Sequence, residues 1–262
     1  MKGAYWPLQN LMTDDRNQPG FDVLRASGKS RFVILCDHAS NRIPAELGGL
    51  GLGPSDLARH IAWDIGAAGV AEELSSIFDA PAILCATSRL VIDCNRHPGA
   101  IDFIPEQSDG TMIPGNRNLS EQARLSRIER WFAPYHAEIE SVLTARAARG
   151  LSSFLLSIHS MTPCLAGKAR PWKIALSSHV DRSIVQPMLD SLRRLGDVAV
   201  GDNQPYDLDP LVDYSIPFHA MRRNLQYLQV EFRQDQVEDL EGQAGWAQRF
   251  AGTLSDAGLC EP

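Results

Sequence analysis

The chain alternates short apolar runs with longer amphipathic stretches. Phe32-Val33-Ile34-Leu35-Cys36 is an unbroken apolar run, dense in β-branched and aromatic residues, and predicts a buried strand. Further strands are predicted at 81–85, 88–96, 154–158, 172–177, 198–200 and 227–232. Between them, Ile61, Ile65, Val70, Leu74 and Ile77 recur at helical spacing and predict a helix over 55–78, although Gly66 and Gly69 weaken it. Ser120 caps a second helix with Glu121 in its first turn; Gly150 ends it and Pro134 predicts a kink inside it. Two more helices are predicted at 181–195 and 242–254. Residues 1–30, punctuated by Asp14, Asn17, Pro19 and Gly20, read as an irregular lead-in. Strands and helices that alternate throughout predict an α/β fold. The sheet is mostly parallel and covered on both faces, in a single domain over residues 1–262 with no repeat and no linker.

The predicted strands end alike, an apolar run giving way to ionisable groups. The first delivers Asp37-His38-Ala39-Ser40-Asn41 before Pro44; others deliver Asn95-Arg96, His159 and Glu231. In a parallel sheet these ends share one edge, where ligands bind. Two histidines and a carboxylate with one open position make a catalytic zinc site. Such a metal acidifies water and polarises a carbonyl. A second carboxylate, such as Glu231, then passes the water's proton to a leaving amine. Arg89 and Arg96 are placed to grip a substrate carboxylate. Taken singly, each element has a plainer reading: a satisfied histidine, a turn at Asn95-Arg96, an exposed alternating strand at Glu231-Phe232-Arg233. The chain contains no HExxH, GxSxG, GxxxxGK[ST] or GxGxxG signature. The residues themselves predict a metal-dependent hydrolase. The competing reading is a fold-mate that binds a small acidic ligand without catalysis.

Charge and cysteine usage narrow the partners. The formal net charge of −7 leaves no broad basic surface, which excludes nucleic acid as the expected partner. The apolar runs are too short to cross a bilayer, and MKGAYWPLQN has no apolar core of a secretory signal. Cys36, Cys85, Cys94, Cys164 and Cys260 show no CxxC spacing and read as free thiols in a reducing cytoplasm. The sequence carries no signal of oligomeric state.

CDHASNRIP, Ala62-Trp63-Asp64-Ile65-Gly66, SRLVIDCNR, LSIHSMTP and QVEFRQD follow one another across residues 31–235. This ordered set resembles the N-formylglutamate amidohydrolase family. The resemblance implies an α/β/α sandwich of the phosphorylase/hydrolase-like kind, shared with zinc carboxypeptidases and aspartoacylase-like enzymes. It implies one zinc ion and a small acidic substrate, an N-acyl amino acid cleaved at its amide bond. The family's named reaction splits N-formyl-L-glutamate into formate and L-glutamate; the alternative is a related zinc hydrolase, carboxypeptidase-like, with a different N-acyl or peptide substrate. Carried over by residue, His38 and His159 match the family's two histidines as metal ligands, and Asp64 matches an acidic position as the third. Asn41 stands where carboxypeptidase-type enzymes carry a glutamate, but a neutral amide is a poor zinc ligand. Arg89 resembles the arginine that polarises the scissile carbonyl, and Asn95 and Arg96 resemble the pair that grips the substrate carboxylate. Glu231 resembles the general base. His219 is carried as a substrate contact, with packing as the alternative. A glutamate substrate needs one more cation, for which Arg42, Arg222 and Arg223 are the candidates.

Overall fold

The computed structural model describes residues 20–260. Seven strands form the main sheet: β1 (Phe21–Leu24), β2 (Phe32–Cys36), β3 (Ala82–Cys85), β4 (Phe154–Met161), β5 (Ile174–Ser177), β6 (Val200–Asp202) and β7 (Gln226–Arg233). Their order is β1-β3-β2-β4-β7-β5-β6. The central run β3-β2-β4-β7 is parallel; β1 lies antiparallel on β3, and β5 antiparallel on β7. The helices are α1 (Ala67–Phe78), α2 (Glu121–Arg127), α3 (Ala133–Ala148), α4 (Val185–Arg194), α5 (Ser215–His219) and α6 (Leu240–Asp256).

Successive strand residues face opposite layers. On β2, Phe32, Ile34 and Cys36 join one core with α1, α4 and α6; Val33 and Leu35 join the other with α3. Both faces are buried, which is why the run has no polar break. This is the α/β architecture the alternation predicts. None of the described helices is long and apolar enough to cross a membrane.

Four local expectations are corrected, and three of the corrections build the site. The lead-in contains a strand, because Phe21–Leu24 pairs with β3; residues 1–19 lie outside the described residues. The helix expected over 55–78 is a single turn at Pro54–Leu57, and α1 starts only at Ala67. Gly66 breaks it with a φ of 80°, and a Cβ there would stand 2.0 Å from the Val237 carbonyl oxygen. The break lets the Asp64 N–H reach the His38 carbonyl at 2.9 Å. The run 88–96 is not a strand but a buried loop, touching Asp213 through one bridge at Arg96. Leu90, Val91, Ile92 and Cys94 are apolar because they are enclosed on all sides. An apolar run by itself cannot separate that case from a ladder strand. Lastly, β4 runs on to Met161, so His159 lies inside the strand.

Side chains replace the missing ladder. Asn116 Nδ2 donates to the Leu90 carbonyl at 2.8 Å, Arg127 Nη1 to Val91 at 2.8 Å, and the His136 ring Nε2 meets Cys94 O at 3.0 Å. Arg127 also donates to Asn116 Oδ1 and Gly115 O. Replacing Arg127 with methionine strands these buried acceptors. The expected loss is about 3 kcal/mol in urea unfolding, beyond the cost of an ordinary surface change. Ser120 caps α2 as expected, accepting from the Ala123 N–H at 3.2 Å. The irregularity expected at Pro134 appears as a π-helical turn at Ile128–Phe132, since proline has no N–H for the carbonyl four residues back.

Candidate active site

The face of β4 and β7 that looks toward the 88–96 loop changes from apolar to polar. Ser157 and His159 on β4 stand in register with Gln229 and Glu231 on β7. The other face keeps Ile158, Val230 and Phe232 in the core. Over the polar patch opens a cleft of about 280 Å³.

His38, Asp64 and His159 meet at its floor, all three buried. Asp64 Oδ2 lies 3.4 Å from His38 Nδ1 and 2.9 Å from His159 Nδ1, and accepts the Ser160 N–H at 3.2 Å. The far nitrogen of each ring faces another oxygen. His38 Nε2 donates to Asp93 Oδ1 at 2.8 Å. His159 Nε2 is 3.0 Å from Ser157 Oγ and 3.5 Å from Asp37 Oδ2. Asp37 is held from its other side by the Tyr135 and Ser215 hydroxyls, at 2.9 and 2.6 Å.

Burial opposes charge on His38, as does Arg89, yet Asp93 and Asp64 raise its pKa. His159 is raised well above its usual range: burial works against the charge, and Asp37 and Asp64 overcome it. Burial also opposes ionisation of Asp64, but His38 and His159 hold it well below the carboxylate range. Glu231 is the opposite case. It accepts no hydrogen bond among the described residues, and burial pushes it up to about 7 against the pull of His159.

This donor set fits a divalent metal. The three ligand atoms lie within 4.8 Å of one another. Ligand atoms around a tetrahedral zinc stand roughly 3.3 Å apart, close to the two separations seen at Asp64 Oδ2. Behind His38 the Asp93 carboxylate accepts from Nε2, so the neutral ring would present its Nδ1 lone pair to a metal; behind His159 stand Ser157 Oγ and Asp37 Oδ2. Asn41 is not part of the cluster; its amide donates to the Leu57 carbonyl at 2.9 Å.

The remaining expected residues divide. Arg89, Asn95, Arg96 and Glu231 all line the cleft. Arg89 Nη1 is 3.4 Å from Asp64 Oδ1, while Nε and Nη2 hold Asp93 Oδ2 at 3.0 and 2.7 Å. Arg96 donates to Asp102 at 2.7 Å and to Asp213 at 3.2 Å. The Asn95 amide clamps the next wall: it donates to Asp213 and accepts the Tyr214 and Ser215 N–H groups. His219 is not brought to the cleft. It is buried 2.8 Å from His136 Nδ1 and 2.6 Å from Glu140, which also pairs with Arg223. Arg42, Arg222 and Arg223 do not line the cleft either. Arg42 donates to the Ala86 carbonyl, and Arg222 lies over the Phe218 ring.

Sequence reasoning gave no role to Asp93, which holds the His38 ring, to Asp37, which stands behind the His159 ring, or to Arg170 and Gln229 in the cleft. Two signals were present: Asp93 stands four residues after Arg89, and Gln229 two before Glu231 on one strand face.

Fold and cleft together define an α/β protein that gathers ionisable groups at the carboxyl ends of its central strands, where open α/β sheets bind ligands. The chain belongs to the N-formylglutamate amidohydrolase family, whose model matches residues 30–237, and it is an amidohydrolase. It is similar to the gene product Atu2144 from Agrobacterium tumefaciens, with 32% identity and a TM-score of 0.87 over 92% of this chain and 96% of that one. It shares its fold with the N-formylglutamate amidohydrolase from Ralstonia eutropha JMP134, at 19% identity and a TM-score of 0.70 over 92% and 98% of the two chains. No curated protein sequence matches it.

Proposed function

We propose that this protein is a zinc-dependent amidohydrolase that splits N-formyl-L-glutamate into formate and L-glutamate. The observation that carries the reading is the buried His38, Asp64 and His159 cluster beside Glu231, which pairs with none of the described residues, in one cleft with Arg89. His38, Asp64 and His159 hold the metal, and their nitrogen and oxygen donors suit zinc. When bound, such a metal polarises a carbonyl and acidifies water near neutral pH.

The chain's own groups do the rest. Glu231, desolvated to a pKa of about 7, takes a proton from the attacking water and returns it to the leaving nitrogen. The C–N bond breaks; the formyl carbon leaves as formate and the nitrogen as the amine of glutamate. Arg89 is held between Asp64 and Asp93 with its guanidinium in the cleft wall, where it meets the carbonyl oxygen. Arg96 takes the α-carboxylate. The buried thiols Cys36, Cys85 and Cys94 are free, which suits a cytoplasmic enzyme.

The test is metal analysis of the purified protein together with amine release from N-formyl, N-acetyl and longer N-acyl amino acids, with and without chelator. The expected result is about one zinc per chain and chelator-sensitive release from N-formyl-L-glutamate. Turnover of another acyl amino acid alone would remove the substrate and keep the chemistry. A protein that neither binds zinc nor responds to it would sink the metal reading.

A further inference from the structure

Three of the described arginines line the cleft, and their partners differ. Arg89 pairs with Asp64 and Asp93, and Arg96 with Asp102 and Asp213. Arg170 is only 7% exposed and forms no ion pair with a carboxylate among the described residues. Its Nη2 donates to the Tyr206 hydroxyl at 2.7 Å, and the guanidinium lies over the Tyr206 ring at 4.9 Å. Its Nη1 is buried and has no hydrogen-bond partner among the described residues. A buried cation is costly unless something pairs with it, and proteins rarely leave a buried donor unused. The charge is also held in place. The Arg170 N–H bonds to Pro163 O at 2.8 Å, Arg233 holds its carbonyl at 3.0 Å, and Ser177 Oγ holds the Tyr206 carbonyl at 2.8 Å.

Arg170 follows the Cys164–Leu165 and Lys168–Ala169 hairpin, whereas Arg89 and Arg96 share the 88–96 loop. The cleft therefore offers cations on separate elements, as a dicarboxylate requires. Gln229 Oε1, also buried and without a hydrogen-bond partner among the described residues, adds an acceptor to the same cleft.

We propose that Arg170 is the specificity residue that receives the side-chain carboxylate of the substrate, restricting the enzyme to N-acyl amino acids with an acidic side chain. The inference rests on the N-acyl amino acid reading above. It replaces Arg42, Arg222 and Arg223, which stand off the cleft, as the second carboxylate's partner.

The experiment compares kcat/KM for N-formyl-L-glutamate and its near-isosteric amide N-formyl-L-glutamine, using zinc-loaded full-length wild type, Arg170→Gln and Arg170→Lys. The wild type is expected to prefer the acid by about 100-fold, through KM. Arg170→Gln removes about 100-fold of that ratio, and Arg170→Lys, which keeps the charge but not the fork, retains part of it. A ratio is insensitive to the fraction of each variant that folds. An unchanged ratio in Arg170→Gln overturns the proposal, as does an equal fall for both substrates, which would put the α-carboxylate or a structural role there. Wild type that cleaves both equally overturns it while the N-acyl reading stands. Wild type that cleaves neither removes N-formyl-L-glutamate as the substrate, and this proposal with it.

Discussion

Replacing Glu231 with glutamine lowers kcat by about 1,000-fold or more, with KM and zinc content changed by no more than about threefold. The physical ground is the isolation of this carboxyl. It stands beside His159 in the register of β4 and β7, buried, and accepts no hydrogen bond among the described residues. Its pKa near 7 leaves it able both to take and to give a proton at neutral pH. Glutamine keeps the shape and loses the exchangeable proton. The substitution also removes no counter-charge from a satisfied pair, so the fold is expected to tolerate it. Steady-state kinetics and metal analysis on one preparation decide the matter. Loss of zinc would make Glu231 a ligand, and unchanged kcat would remove it from the reaction.

The second large effect is expected at Asp64. Its Oδ2 is the atom that both ring Nδ1 atoms and the Ser160 N–H face, and its Oδ1 meets Arg89. Asp64→Asn keeps the volume but offers a neutral amide, a far weaker ligand. Zinc retained after dialysis is expected to fall from about one to below about 0.1 per chain. Activity should fall at least about 1,000-fold with it. The two variants separate the roles, since Glu231→Gln keeps zinc and loses turnover while Asp64→Asn loses both. Full zinc occupancy and near-normal turnover in Asp64→Asn would place the third ligand elsewhere.

Much of this arrangement was legible in the order of residues. A run such as Phe32 to Cys36, with no polar position on either face, belongs to a strand enclosed by two layers, and the alternation of such runs with amphipathic helices requires a covered, mostly parallel sheet. The polar residues that end these runs were readable as an active-site rim, because a sheet that buries both faces leaves its chemistry at the strand ends. His38, His159 and Glu231 came from that pattern, and Asp64 from family resemblance.

Other features depend on contacts that no local pattern encodes. The 88–96 stretch looks like a strand because enclosure and ladder pairing select the same apolar residues; it is a loop because Asn116, Arg127 and His136, distant in sequence, meet its carbonyls. Asp64 is freed from a helix by one glycine pressed against Val237. Asp37 and Asp93 reach their places behind the histidine rings only when three segments close on one another. Arg170 is unremarkable in GKARPW, and its importance is a matter of what fails to pair with it once buried. The sequence by itself determined the layers and the residue types at the strand ends, since hydrophobic periodicity is a local property of the chain. The tertiary structure alone decided which charges neutralise each other and which stay open for a substrate, since Coulomb and hydrogen-bond energies depend on distance and burial rather than on order along the chain.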